Sequence, residues 1–127
     1  MASTTGTISE HCLLRNEVPA ADTRIVIDTD QPAGATAALV NITMTTAAST
    51  GYVTAEGCGA ASGTRAWSNG NARPGRNVAS ASVVPLDSQG RFCLYQSASM
   101  HTIVDVQGFF VPSASAPSGA RFTPVTA

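Results

Sequence analysis

Between Ala37 and Thr45 (AALVNITMT) the chain alternates, with Val40, Ile42 and Met44 on one side and Asn41, Thr43 and Thr45 on the other. A period of two belongs to a β-strand with one face buried. Strand-like segments recur on both sides of it: RIVIDT (Arg24–Thr29), GYVTAEG (Gly51–Gly57), NVASASVVPL (Asn77–Leu86), RFCLYQS (Arg91–Ser97) and HTIVDVQGFF (His101–Phe110). TRAWSNGNA (Thr64–Ala72) reads as a more polar strand, placing Arg65, Trp67, Asn69 and Asn71 on one face if regular. Turn chemistry separates the segments. In RPGR (Arg73–Arg76), Pro and Gly stand where a type II turn wants them, and DSQG (Asp87–Gly90) reads as a hairpin-like turn. Strands spaced about 8–12 residues apart, with no helical period, predict an all-β fold: a single antiparallel β-sandwich or jelly-roll of about seven to nine strands.

The same pattern divides the chain. Residues 1–10 are small and polar and read as a flexible N-terminal arm, and residues 11–111 as the sandwich domain. Residues 112–120 read as a Pro/Ser/Ala linker, and RFTPVTA (Arg121–Ala127) as an extended segment able to dock on an open sheet edge here or on a neighbour.

Composition narrows the function. Only 12% of residues are charged and the net charge is −1, so little favours nucleic-acid binding. No run approaches the roughly 18 apolar residues of a membrane span, so membrane insertion is not expected. MASTTGTISE lacks the basic start and apolar core of a signal peptide, so export would need a leader removed elsewhere or release of virions by host lysis.

The chain has three cysteines, Cys12, Cys58 and Cys93, without zinc-type spacing. One pair plus an odd thiol is the simplest arithmetic. Cys58 and Cys93 both fall near ends of predicted strands, and bridging them would contribute about 3–4 kcal/mol in the chain-entropy model. Buried free thiols are the alternative.

Candidate chemistry is sparse. Asp105 sits between two valines in IVDVQGFF and could be a general acid or a structural acceptor of hydrogen bonds. His101, four residues earlier on the same strand, is about 13 Å away at strand rise, too far for a pair. We therefore read Asp105 as a structural acceptor. Ser99, His101 and Asp105 make a triad only on paper, without a G-x-S-x-G elbow. His11 and Cys12 would point to opposite faces of a strand. Asp28 and Asp30 lack the further ligands of a calcium loop and suit a turn. No catalytic residue, metal or cofactor is expected. NIT (Asn41–Thr43) fits the N-glycosylation pattern, read as coincidence. Arg65, Trp67, Asn69 and Asn71 combine an aromatic ring, amides and a guanidinium, which serve sugar binding and protein interfaces alike. The bland alternative packs Trp67 in the core, against a disulfide.

Several segments in order resemble a known module: PAGATAALVNITMT, GYVTAEGCG, SNGNARPGRNVAS, VVPLDSQGRFCLYQS and TIVDVQGFF. They are similar to a β-domain of actinobacterial secreted and surface proteins, found in tandem or appended to hydrolases. It typically reads PAGATAVVLNVT, GYLTVYPCG, SNLN…GQTVAN, VCLYSS and VDVQGYF. The resemblance covers residues 17–110 and implies an extracellular, non-catalytic domain with a Cys58–Cys93 disulfide. The chain departs from the pattern at Gly70, where the family has an apolar residue, and at Ala72, where it has an aromatic. Trp67 comes earlier instead, and HCLLRN replaces the usual RLLDTR, leaving Cys12 without a counterpart.

Together these readings predict a non-enzymatic surface module mediating attachment or assembly. Its expected partners are protein neighbours or cell-wall glycan, with homo-oligomers allowed. A phage virion component, such as a capsid decoration or tail-spike domain, is the second reading. A hydrolase comes last.

Overall fold

The computed structural model describes residues 18–30, 34–59, 65–113 and 116–124. Their regular structure is all β: β1 (Thr23–Asp28), β2 (Ala37–Thr45), β3 (Gly51–Glu56), β4 (Gly70–Ala72), β5 (Val78–Pro85), β6 (Arg91–Gln96), β7 (His101–Ser113) and β8 (Ala116–Pro124). The first seven strands form a two-sheet sandwich, β1-β6-β3-β4 facing β5-β2-β7, and β8 adds to the outer edge of β7. All neighbours pair antiparallel. This is the predicted all-β sandwich, with the Cys58–Cys93 disulfide in place.

β2 shows why the fold follows from the pattern. Its burial alternates along the whole strand, and Ala38, Val40, Ile42 and Met44 are fully enclosed. Opposite them on β7 stand Phe109, Val106, Val104 and Thr102. These partners do not share one parity, because Leu39 pairs with Gly108 while Val40 pairs with Val106. The extra residue, Gln107, forms a bulge that resets the alternation and turns Phe109 inward. The facing sheet contributes Ile25, Ile27, Val53, Ala55, Phe92 and Leu94 to the same core. Each large side chain among these stabilises the fold by about 1.5–3 kcal/mol through burial.

Close approach of the two sheets depends on Gly70. A Cβ there would lie 2.5 Å from the Met44 methyl and 3.5 Å from Ser80, so a side chain on β4 would have to displace the end of the buried Met44 side chain.

The RPGR turn forms as read, with Gly75 at φ 73° and the Arg76 N–H donating to the Arg73 carbonyl at 3.2 Å. Three other readings are corrected. Asp87–Gly90 is a turn, closed by the Gly90 N–H on the Asp87 carbonyl at 3.0 Å, but it is not a hairpin. It joins β5 and β6, which lie in different sheets. Of the strand expected across 65–71, only Gly70–Ala72 pairs as β4, so its four residues do not share a regular face. The segment 112–120 is not a linker: β7 runs to Ser113, and β8 returns along it with Phe110 opposite Phe122. Pro117 and Pro124 are tolerated because β8 is an edge strand. The N-terminal arm, His11 and Cys12 lie outside the described residues, as does the end of the chain beyond Pro124.

Candidate functional site

On β3 and β6 the inward residues alternate as they should, yet the outward ones are buried too: Thr54, Glu56, Cys93 and Tyr95 are all enclosed. What covers them begins at the disulfide. Cys58, two residues beyond β3, is bridged to Cys93 on β6 with 4.9 Å between Cα atoms, which holds it against this outer face. Arg65 then returns across this face. Its guanidinium lies 4.1 Å from the centre of the Tyr95 ring and grips Glu56 with both prongs, Nε to Oε1 and Nη2 to Oε2, each at 2.7 Å. From the other side, Arg24 on β1 donates to Glu56 Oε2 at 3.1 Å and to the Cys58 carbonyl at 2.7 Å.

The electrostatics follow from this packing. Arg65's hydrogen bonds, opposed by burial and aided by Arg24, hold the Glu56 carboxyl below its ordinary range. Glu56 in turn raises the pKa of Arg65, whose side chain is only 7% exposed. A 2.6 Å hydrogen bond from Tyr95 to Asp22, together with burial, pushes the phenol up to about 12. Both carboxylate and guanidinium are thus committed to each other, a stable arrangement for buried charge because the geometry is bidentate.

After Arg65 the chain is clamped to the edge of β3 without becoming a strand. Thr54 donates to the Trp67 carbonyl at 2.6 Å. The Asn69 N–H donates to the Val53 carbonyl at 2.8 Å, its side-chain oxygen accepts from the Ala55 N–H at 2.7 Å, and its amide donates to Ser82 at 3.3 Å. Asn69 therefore serves the scaffold. Trp67 takes the opposite course: it is 53% exposed, which overturns the reading that packs it in the core. Beside it, Asn71 is exposed on β4 opposite Tyr52. Trp67, Asn71, Tyr52, Arg65, Ala66 and Ser68 line an open hollow of about 290 Å³.

Of the four residues proposed from the sequence, the structure brings Arg65, Trp67 and Asn71 to this hollow and turns Asn69 away from it. Tyr52, Glu56, Tyr95 and Asp22 were missed. The available signal was a lone glutamate in an otherwise small and apolar strand, with arginines at positions 24 and 65 to answer it.

Asp105 lies elsewhere, on the outer face of the other sheet, exposed and opposite Asn41. No hydrogen bond reaches its carboxylate among the described residues, which corrects the expected acceptor role. The valines on either side of it lean toward the core while Asp105 points to water, so solvent supplies its partners. His101 is opposite Thr45, and β7 runs without a register shift from His101 to Asp105. Asp28 accepts from the Asp30 N–H at 2.8 Å, the local bond of an Asx turn. Among the described residues no group of three His, Cys, Asp or Glu side chains is placed to hold a metal, and no helix is long and apolar enough to cross a membrane.

No family model matches this chain, and neither does any curated protein or solved structure.

Proposed function

We propose that this chain is a non-catalytic extracellular module, in an actinobacterial surface or secreted protein, that attaches its parent to a surface through the face carrying Trp67. The observation behind this reading is a large apolar ring held half in water, its own carbonyl and the Asn69 N–H hydrogen-bonded to β3 and the Arg65 side chain before it paired with Glu56. An indole exposed on a clamped segment loses little conformational freedom on binding, which is what makes tryptophan a frequent interface anchor. The charges beneath it are tied to one another, which favours scaffolding over proton transfer. The disulfide is in keeping with an oxidising compartment.

β8 favours a second setting, a phage particle. An edge strand such as β8, here paired with β7 of its own chain, could join neighbouring copies if it were exchanged between them. Flanking capsid or tail genes would favour that setting, and a longer reading frame with a leader the first.

The attachment reading is tested by retention of labelled protein on washed actinobacterial cells. Wild type should be retained, and Trp67→Ala, folded and equally stable, should be lost to the wash. Equal retention of both would remove Trp67 from the reading.

A further inference from the structure

We infer that the hollow beside Trp67 takes a neutral saccharide, a single hexose or N-acetylhexosamine ring of a surface glycan. This rests on the attachment reading and adds the ligand class. Three features of the hollow choose it.

The first is charge. Arg65 is the cation at this site, and its fork is fully engaged by Glu56 from within the protein at 2.7 Å per prong. A phosphate or carboxylate would have to compete with a buried carboxylate already in ideal geometry, so anionic ligands are disfavoured. The remaining polar groups, from Tyr52, Ser68 and Asn71, are uncharged.

The second is the pairing of surfaces. Trp67 offers an exposed apolar face, while Asn71, directly across the strand pair from Tyr52, offers an amide with both donor and acceptor. A pyranose has the matching halves, an apolar face of C–H groups and an equatorial rim of hydroxyls. An aliphatic ligand would leave the amide unanswered, and a highly polar one would waste the ring.

The third is size and access. At about 290 Å³ the hollow sits at the small end of ligand sites, which run about 300–1,000 Å³. It is open, so a ring within a longer polymer can be reached from the side. A protein partner would use the same indole but would need a wide dry surround. Here the neighbours, Ala66, Ser68 and Asn71, are small or polar.

The chain has one tryptophan, so intrinsic emission reports this site alone. Soluble N-acetylglucosamine oligomers, cell-wall muropeptides and glucose oligomers are titrated in turn against the intact chain. At least one series should give a saturable change in emission. Asn71→Ala should weaken that binding roughly fivefold, as loss of one hydrogen bond does. Ile103→Ala, on the opposite face, should leave it unchanged. No emission change with any saccharide, while retention on cells still depends on Trp67, would overturn the saccharide and leave attachment standing, with a protein as the partner. No emission change and retention independent of Trp67 would overturn both.

Discussion

On the outer face of β5-β2-β7, Val83, Ile103 and Asp105 meet solvent directly, whereas on the outer face of β1-β6-β3-β4, Thr54, Glu56, Cys93 and Tyr95 are as buried as the core. The strands are of the same kind, and each sheet has its inward side chains in the shared interior. The difference lies in Cys58 and in residues 65–69. They are held over one sheet by the disulfide and by Arg65, and nothing comparable crosses the other among the described residues. A roof of this sort requires partners for every polar group it covers, which the bidentate Glu56 pair, the Tyr95–Asp22 bond and the Asn69 bonds supply. It also gives a place to hold an aromatic ring at a fixed position in water. The bare face has apolar residues too, Val83 opposite Leu39 and Ile103 opposite Thr43, with no segment laid over them among the described residues.

If this contrast is right, damage to the roofed face should cost far more than damage to the bare one. The largest effect is expected from Glu56→Ala, which leaves Arg65 buried without its counter-ion and should destabilise by about 3–5 kcal/mol in urea unfolding. The same carboxylate sets an acid dependence. Its folded pKa is lowered, so the unfolded chain binds its proton first as pH falls, and its stabilisation is present above the ordinary glutamate range. That stabilisation is lost as pH falls through the folded value. Glu56→Gln should therefore flatten the decline of stability with acid; an unchanged slope would mean the carboxylate is not paired in solution.

Replacing Cys58 and Cys93 together by serine comes next, with about 3–4 kcal/mol lost, read from the urea midpoint. Gly70→Val should cost about 1–3 kcal/mol by forcing a side chain into Met44, and Met44→Ala in the same chain should recover part of that. Recovery would show that close approach of the sheets, and not backbone freedom, is what the glycine provides. The smallest effects belong to the bare face: Val83→Ser and Ile103→Ser should each fall within about 0.5 kcal/mol of wild type. A larger loss at either would mean that this face, too, is covered in solution.

The bare sheet is also the one that could be read from the amino acids. Val40, Ile42 and Met44 alternate with Asn41, Thr43 and Thr45 because one side of β2 is oil and the other water, and the residues record that directly. In β3 and β6 the alternation fails: Val53–Glu56 and Phe92–Gln96 are buried without interruption. Burial of the outward side there comes from Cys58 and residues 65–69 packed over it, and a period-two pattern carries no trace of that. Gln107 shows a second limit. The bulge that turns Phe109 inward changes parity within a strand, and only the partner strand specifies where. Arg65, Trp67 and Asn71 were legible as a set because of their residue types, but the regular strand that was to align them does not exist. They converge through hydrogen bonds of the clamped loop instead. Asp105 was legible as unusual and was misjudged in role, since an exposed carboxylate between two valines needs only water.

The attachment surface proposed above lies on the roofed sheet at Trp67, and one paired measurement addresses that most directly. Wild type, Trp67→Ala and Val83→Ser, matched for unfolding midpoint, are sedimented with insoluble actinobacterial cell walls. Wild type and Val83→Ser should pellet alike, with Trp67→Ala bound roughly tenfold more weakly, the loss expected of an aromatic anchor. Equal pelleting of Trp67→Ala and wild type, or a selective loss in Val83→Ser, would contradict the account.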